Sequence, residues 1–203
     1  LAGGTNPVDF DDTDGDGIAD SFSGVTNNAG AATIWGVEFE GQATVAEDMA
    51  RSGDLLNLGW SIGYLDAQYD EFIDAFGNDV ADQRVIQNTP DWTANGRVSY
   101  DTPFAGGNLL LNTQLSYRGD SSQFEVSGPL DQEAFTLWDA SVRWETADGR
   151  WGFQLTGKNL TDEEYIVAGY DFVNVASPLG LEGTLTAFYG DPRTVTAGID
   201  YKF

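Results

Sequence analysis

Strict alternation of apolar and polar residues, carried over several long stretches, constrains this chain more than any other feature. Successive side chains of a strand point to opposite faces, whereas a helix needs a period of 3.6. Trp35, Val37, Phe39, Gly41, Ala43 and Val45 share one face against Gly36, Glu38, Glu40, Gln42 and Thr44, and Leu56, Leu58, Trp60, Ile62 and Tyr64 oppose Asn57, Gly59, Ser61 and Gly63. Trp92, Ala94, Gly96, Val98 and Tyr100 repeat the pattern, as do Leu109, Leu111, Thr113, Leu115 and Tyr117, then Trp138, Ala140, Val142 and Trp144. Trp151, Phe153 and Leu155 follow, and Val195, Ala197, Ile199, Tyr201 and Phe203 end the chain. The count is about seven strands. No run approaches the roughly 18 consecutive apolar residues of a membrane-spanning helix.

The connections alternate in length. Short links are expected at 46–54, 101–108 and 147–150, the last holding an Asp148-Gly149 hairpin signal, and long ones at 70–91, 119–134 and 160–192. Short turns on one rim and long loops on the other are the plan of an outer-membrane barrel, whose apolar face meets lipid and whose polar face meets a wet lumen. In hydrocarbon the backbone is satisfied only if the sheet closes. Aromatics at the segment ends fit interfacial girdles; they fit equally the core of a soluble β-sandwich, although strands this long exceed the usual sandwich length. The inward positions carry Glu38, Glu40, Arg97, Arg118, Arg143, Glu145 and Lys158.

Composition narrows the functions. Acidic residues outnumber basic ones 33 to 9 for a formal charge of −24, which repels phosphate backbones and argues against nucleic-acid binding. At 41% hydrophobic residues the chain is too apolar for a disordered acidic tail. It contains no His and no Cys, which excludes imidazole acid–base chemistry, thiol catalysis and disulfides. No nucleophile–base motif stands out, and the carboxylates are too numerous for any two to be singled out as acid and base. Catalysis is not expected.

Three passages near the C-terminus go beyond alternation: Gly157-Lys158-Asn159-Leu160-Thr161-Asp162-Glu163-Glu164-Tyr165, Tyr189-Gly190-Asp191-Pro192-Arg193-Thr194-Val195, and the terminal Gly198-Ile199-Asp200-Tyr201-Lys202-Phe203. In this order they resemble the C-terminal end of TonB-dependent outer-membrane receptors, and Asn88-Thr89-Pro90-Asp91-Trp92-Thr93-Ala94 resembles a segment that begins an inner strand of that family, so the resemblance covers 35–203. It implies an all-β fold, an antiparallel transmembrane β-barrel segment forming the C-terminal third of a barrel of about 22 strands. It also implies a bacterial outer-membrane location, outer-membrane lipid as surroundings, and coupling to the TonB complex through a plug domain outside this sequence. The opening Leu1-Ala2-Gly3-Gly4 has neither an initiator Met nor a basic n-region, so any secretion signal is expected to lie outside this sequence too. Ile199, Tyr201 and Phe203 resemble the terminal signal read by the barrel-assembly machinery, or serve simply as girdle residues. Asn159, Thr161 and Asp162 suit a turn at a strand end, and Arg193 either anchors a rim carboxylate or is a solvated loop residue.

Residues 1–34 are expected to form an acidic extracellular loop ahead of the strands of 35–203. Within it Asp12, Asp14, Asp16 and Asp20, with Gly17 at the turn and the carbonyl of Ile18, match calcium-loop positions 1, 3, 5, 9, 6 and 7. Position 12 is Ser23 rather than the bidentate Glu, which points to a shorter calcium loop than an EF-hand, or to a solvated acidic loop.

The leading functional expectation is active uptake of a scarce, large solute of the siderophore, vitamin or glycan class. The alternatives are a secreted calcium-dependent β-sandwich binding domain and a small porin-like barrel. Candidate contacts to a small-molecule ligand are the loop aromatics Tyr69, Phe72, Phe76, Phe124, Tyr170, Phe172 and Phe188. If the acidic loop binds Ca²⁺, cleavage of residues 9–22 by protease slows in calcium and not in Mg²⁺, which demands stricter octahedral geometry. Asp14→Asn combined with Asp16→Asn removes that protection; unchanged cleavage throughout identifies a solvated loop.

Overall fold

A computed structural model describes residues 30–74, 77–173, 181 and 183–203 in full, together with the backbone of four short strands within 1–29. β1 (Gly3–Thr5) pairs with β4 (Thr26–Asn28), and β2 (Asp9–Asp11) pairs with β3 (Ser21–Ser23), both antiparallel. Asp12, Asp14, Asp16, Ile18, Asp20 and Phe76 lie outside the described residues.

The remaining strands are β5 (Gly30–Glu47), β6 (Leu55–Phe72), β7 (Trp92–Phe104), β8 (Gly107–Arg118), β9 (Phe135–Thr146), β10 (Trp151–Lys158), β11 (Ile166–Asp171), β12 (Leu185–Tyr189) and β13 (Thr194–Tyr201). Seven of them form one sheet in the order β13-β10-β9-β8-β7-β6-β5, every pair antiparallel. Each strand therefore neighbours the next in sequence, with one interruption: β11 and β12 form a separate hairpin inside the connection from β10 to β13. That connection was expected to be a plain loop. Its strands have 6 and 5 residues, too few for alternation to stand out from the surrounding turn residues.

Register keeps the alternation coherent from edge to edge. Val37 faces Tyr64, Phe39 faces Ile62, Leu58 faces Val98, Leu111 faces Val142, Leu155 faces Val142 and Ile199 faces Phe153. One face is thus apolar across the whole sheet, and it is bare: Val37, Phe39, Val195 and Ile199 are 65%, 66%, 65% and 70% exposed. Among the described residues only Phe72 and Leu130 are buried apolar side chains, and neither lies in the middle of the sheet. A bare apolar face of this extent marks a surface that meets something other than water. β8 and β9 have 12 residues each, enough to cross a bilayer when tilted by about 45°.

Two aromatic belts bound this face. Trp35, Tyr64 and Trp92 lie in succession at one end, with ring centroids 5.5 and 4.8 Å apart. Trp144, Phe153, Trp151, Tyr201 and Phe203 mark the other, in consecutive contacts of 5.8, 6.3, 4.7 and 5.1 Å. Beyond Trp35 the outward face turns acidic at once: Trp35 Nε1 donates to Asp66 at 3.1 Å and Thr33 donates to Asp70 at 2.7 Å. Buried Trp and Tyr polar atoms need partners in a water-free layer, and Trp138 Nε1 finds one in Thr113 Oγ1 at 2.7 Å. Trp60 covers Gly41, where a Cβ would collide with its ring, so the side-chain-free position seats the indole.

The rim that carries the C-terminus is tight. β7 and β8 are joined by Ala105 and Gly106 alone, both at positive φ (50° and 72°), so the link expected over 101–108 is a two-residue turn and its strands run further than the alternation suggested. The Asp148-Gly149 hairpin forms as expected, with Gly149 at φ 67° and the Arg150 amide donating to Asp148 at 3.1 Å. In the 48–54 turn the wholly buried Asp54 carboxylate accepts from the amides of Met49, Ala50 and Arg51 at 2.8, 2.9 and 2.9 Å and from the Tyr100 hydroxyl. The Tyr100 hydroxyl, helped by those amides, holds its carboxyl down at about 2. Arg51 then reaches the Pro103 carbonyl at 3.1 Å and lies over the Phe104 ring at 5.2 Å, tying two turns together.

The sheet makes a direct prediction about its faces. Val142 is 41% exposed on the apolar face and its neighbour Ser141 points the other way, paired with Asn112 and Thr156. Val142→Arg places a charge in hydrocarbon at about 2–4 kcal/mol and lowers the yield of heat-modifiable, membrane-inserted protein, whereas Ser141→Arg leaves it near normal. Equal yields would contradict the assigned faces.

Candidate functional site

The candidate site is the opposite rim, where the loops of 73–91, 119–134 and 159–193 gather. These loops form a packed layer of their own. Phe72, at the end of β6, is 7% exposed, with the Tyr69 ring edge-on at 5.0 Å and the Arg84 guanidinium 5.4 Å above it. Asp79 closes the first loop by accepting from the Phe72 and Ala81 amides at 3.0 and 3.1 Å. The Val85 amide donates to the Glu125 carbonyl at 2.8 Å and the Asn88 amide to the Ser122 carbonyl at 2.9 Å, which laces the first loop to the second.

The second loop is drawn shut by paired backbone bonds between Ser121 and Gln132, both 2.9 Å. Leu130, 2% exposed, packs against Gly169 of the third loop, where a Cβ would come within 2.6 Å of its Cδ1. The Gln132 side chain accepts from the Ile166 amide and donates to the Glu133 carbonyl at 2.7 Å. Backbone groups in long connections need partners once they leave water, and here each loop supplies them to its neighbour.

The root of the third loop is held by Asn159. This residue is 4% exposed and sits at φ 48°, a left-handed conformation that Asn tolerates better than most residues. Its Nδ2 donates to the carbonyls of Glu163 at 2.9 Å and Asp191 at 3.1 Å, its Oδ1 accepts from the Glu163 amide at 2.8 Å, and its amide donates to Asp139 at 2.8 Å. Arg193 donates its amide to Asp162 at 2.9 Å and places its guanidinium 3.6 Å from the same carboxylate. Arg193 is therefore an anchor of a rim carboxylate. Both side chains of that pair are about half exposed, so most of the holding falls to Asn159. Tyr165 stacks on Phe135 at 4.7 Å and packs onto Gly190, where no side chain could fit beneath the ring.

The candidate ligand residues separate into groups. Tyr69 and Phe72 are together, Phe72 inside the layer; Tyr170, Phe172 and Phe188 cluster on the β11–β12 hairpin, with centroids 6.3 and 5.9 Å from Tyr170. Tyr170 and Phe188 are 57% and 48% exposed, while Phe124 is half-buried in the second loop. Below the rim the inner face is a polar wall. It includes open hollows of 540 Å³ beside Glu38, Leu65 and Thr93 and of 450 Å³ beside Gln42, Asn57 and Arg97. Toward the C-terminal rim Arg143 crosses β10 at the side-chain-free Gly152 to bind Asp200 at 2.8 and 3.1 Å, and it also bonds Glu145 at 3.1 Å.

A lipid-facing meander with a polar inner wall, tight turns on one rim and laced loops on the other is the geometry of a barrel wall. The family described as TonB dependent receptor-like, beta-barrel matches residues 4–160. The chain belongs to that family. Its members reside in the bacterial outer membrane. The crystal structure of the ferric yersiniabactin uptake receptor FyuA from Yersinia pestis is similar in fold, with a TM-score of 0.68 at 21% sequence identity over 88% of this chain. The chain spans 25% of the length of FyuA. The structural likeness is wider than the family match, which stops at residue 160, at the start of the passages that carry the C-terminal resemblance. Arg118, at the inward-facing end of β8, meets Gln123 and Gln132 where separate loops converge, a proximity that alternation along one segment does not show.

The Asn159 latch is testable. Asn159→Ala leaves three backbone groups of Glu163 and Asp191 without their partner, at about 1–3 kcal/mol in total, and Asn159→Asp turns two donors into acceptors facing carbonyls. Both changes speed protease cleavage within 164–190 while the folded barrel keeps its heat-modifiability; resistance equal to wild type would show that the latch holds nothing.

Proposed function

We propose that this chain forms one side of a TonB-coupled outer-membrane receptor that imports a scarce, bulky solute of the siderophore class. The observation that carries the reading is the pairing of a lipid-facing sheet with a laced outer rim bearing exposed aromatics, above a polar inner wall. Such a rim presents stacking surfaces and hydrogen-bonding groups to a large, partly aromatic solute without reordering long loops, so little entropy is lost on capture. The wall below offers a wet path, whose hollows a plug domain supplied from outside these residues would occupy. The uptake of a ferric siderophore by FyuA, a fold relative, supports the substrate class. Ile199, Tyr201 and Phe203, at the outward edge of β13, are proposed contacts for the barrel-assembly machinery; Phe203 is fully exposed.

Removing residues 172–184, the tip of the β11–β12 hairpin, is expected to reduce iron-limited growth on ferric siderophores at least tenfold in efficiency, with the amount of protein in the outer membrane unchanged. Testing a panel of chemically distinct ferric siderophores identifies the substrate. Uptake unaffected by that deletion, and by Tyr170→Ala with Phe188→Ala, would sink the proposal.

A further inference from the structure

The three outer loops enclose a cavity of 110 Å³ at the top of the inner wall. Among its lining residues are Arg118, Gln123, Gln132, Phe135, Tyr165 and Ile166, and no described carboxylate lines it. That absence matters in a chain with 33 acidic side chains. Arg143, Arg150, Arg193 and Lys202 are ion-paired, and Arg51 and Arg84 lie over aromatic rings. Arg118 has only one bond, from Nη2 to the Asn88 carbonyl at 3.1 Å, and no ion pair among the described residues. Most of its guanidinium fork is unused.

Gln123 is the second observation. It is 8% exposed, it lines the cavity, and its carboxamide makes no hydrogen bond with any described residue. A carboxamide on a cavity wall with no protein partner is open to water or to a ligand. Gln132, on the same wall, has both ends of its amide in use. Phe135 and Tyr165, stacked on each other with an 18° interplanar angle, add aromatic surface to the lining.

We infer that this cavity binds a planar carboxylate, held by the Arg118 guanidinium and the Gln123 amide beside the Phe135–Tyr165 wall. A guanidinium fork matches a carboxylate through two parallel N–H···O bonds, and the amide N–H of Gln123 supplies a third donor. The volume far exceeds the roughly 10–15 Å³ that one water needs, so a carboxylate with its first substituent fits where several waters otherwise sit. With no described carboxylate in its lining, the cavity is a more favourable place for an anion than most of this acidic chain. The inference rests on the import reading only in naming the imported solute as the carboxylate's source; a free carboxylate uses the same chemistry.

The test uses trifluoroacetate as probe and the protein as extracted from the outer membrane in detergent, followed by fluorine NMR line broadening. Saturable broadening is expected with trifluoroacetate and not with neutral trifluoroacetamide. Arg118→Gln should weaken it roughly tenfold or more, the loss typical of one charge-assisted pair, and Gln123→Leu should weaken it measurably. Arg97→Gln, on the open wall, should leave it unchanged. Heat-modifiability equal to wild type shows that each variant is folded, and if Arg118→Gln fails that control, Gln123→Leu and the amide probe decide alone. No saturable broadening with wild-type protein, equal binding of the amide, or a loss that follows Arg97 and not Arg118 overturns the inference. Because the readout needs no transport, normal binding with failed uptake counts against the import reading alone, and absent binding with normal uptake counts against the cavity alone.

Discussion

A backbone in hydrocarbon has no water to bond with, and everything else in this structure follows from that requirement. The seven-stranded ladder satisfies the amides and carbonyls strand by strand, its register broken only by two shifts near the ends of the β5–β6 pair among the described residues. Once register holds, the side-chain pattern sorts itself: outward positions become Val37, Ile62, Leu111 and Ile199, and inward ones become Glu40, Arg97, Gln114 and Arg143. The ordinary location of a core is thereby inverted, with apolar side chains outside. The outer edges of β5 and β13 have no partner among the described residues, and in lipid each such edge demands another strand beside it.

The two rims solve opposite problems. At the C-terminal rim the chain must reverse quickly, and it does so with left-handed residues and with a single buried carboxylate, Asp54, that gathers three amides and the Tyr100 hydroxyl. The outer rim carries long connections whose backbone would be costly to leave unpaired in a packed layer. They therefore bond to one another, and the only buried apolar side chains among the described residues, Phe72 and Leu130, are at this rim. Among the described residues the outer loops are thereby joined into one packed layer.

Charge is distributed with the same economy. Acidic residues on the outward face begin only past the Trp35–Tyr64–Trp92 belt, where water and headgroups are available to solvate them. Within the wall, Arg143 is neutralised by two carboxylates across a glycine gap, whereas Arg97 and Arg118 have no acid partner among the described residues. Both face the interior. An interior with available cationic positions, inside an otherwise acidic protein, favours anionic groups at chosen points and repels them elsewhere.

Much of this was legible in the sequence because a strand's period of two is local: Trp138 to Trp144 announces its faces whatever it pairs with, and so do the other six wall strands. The aromatic belts, the Asp148-Gly149 turn and the contrast of short and long connections are likewise properties of neighbouring residues. The 159–165 and 189–195 passages could be recognised as a family mark, but not as two ends of one latch, since Asn159 meets Asp191 only across a separation of 32 residues. Nor could the sequence show that Phe72 is buried while Tyr170 and Phe188 are exposed, or that Arg118 and Gln123 share a cavity free of carboxylates. The faces of a strand depend on parity along one segment; a rim depends on which loops reach each other, and only the register between strands brings those loops to the same place.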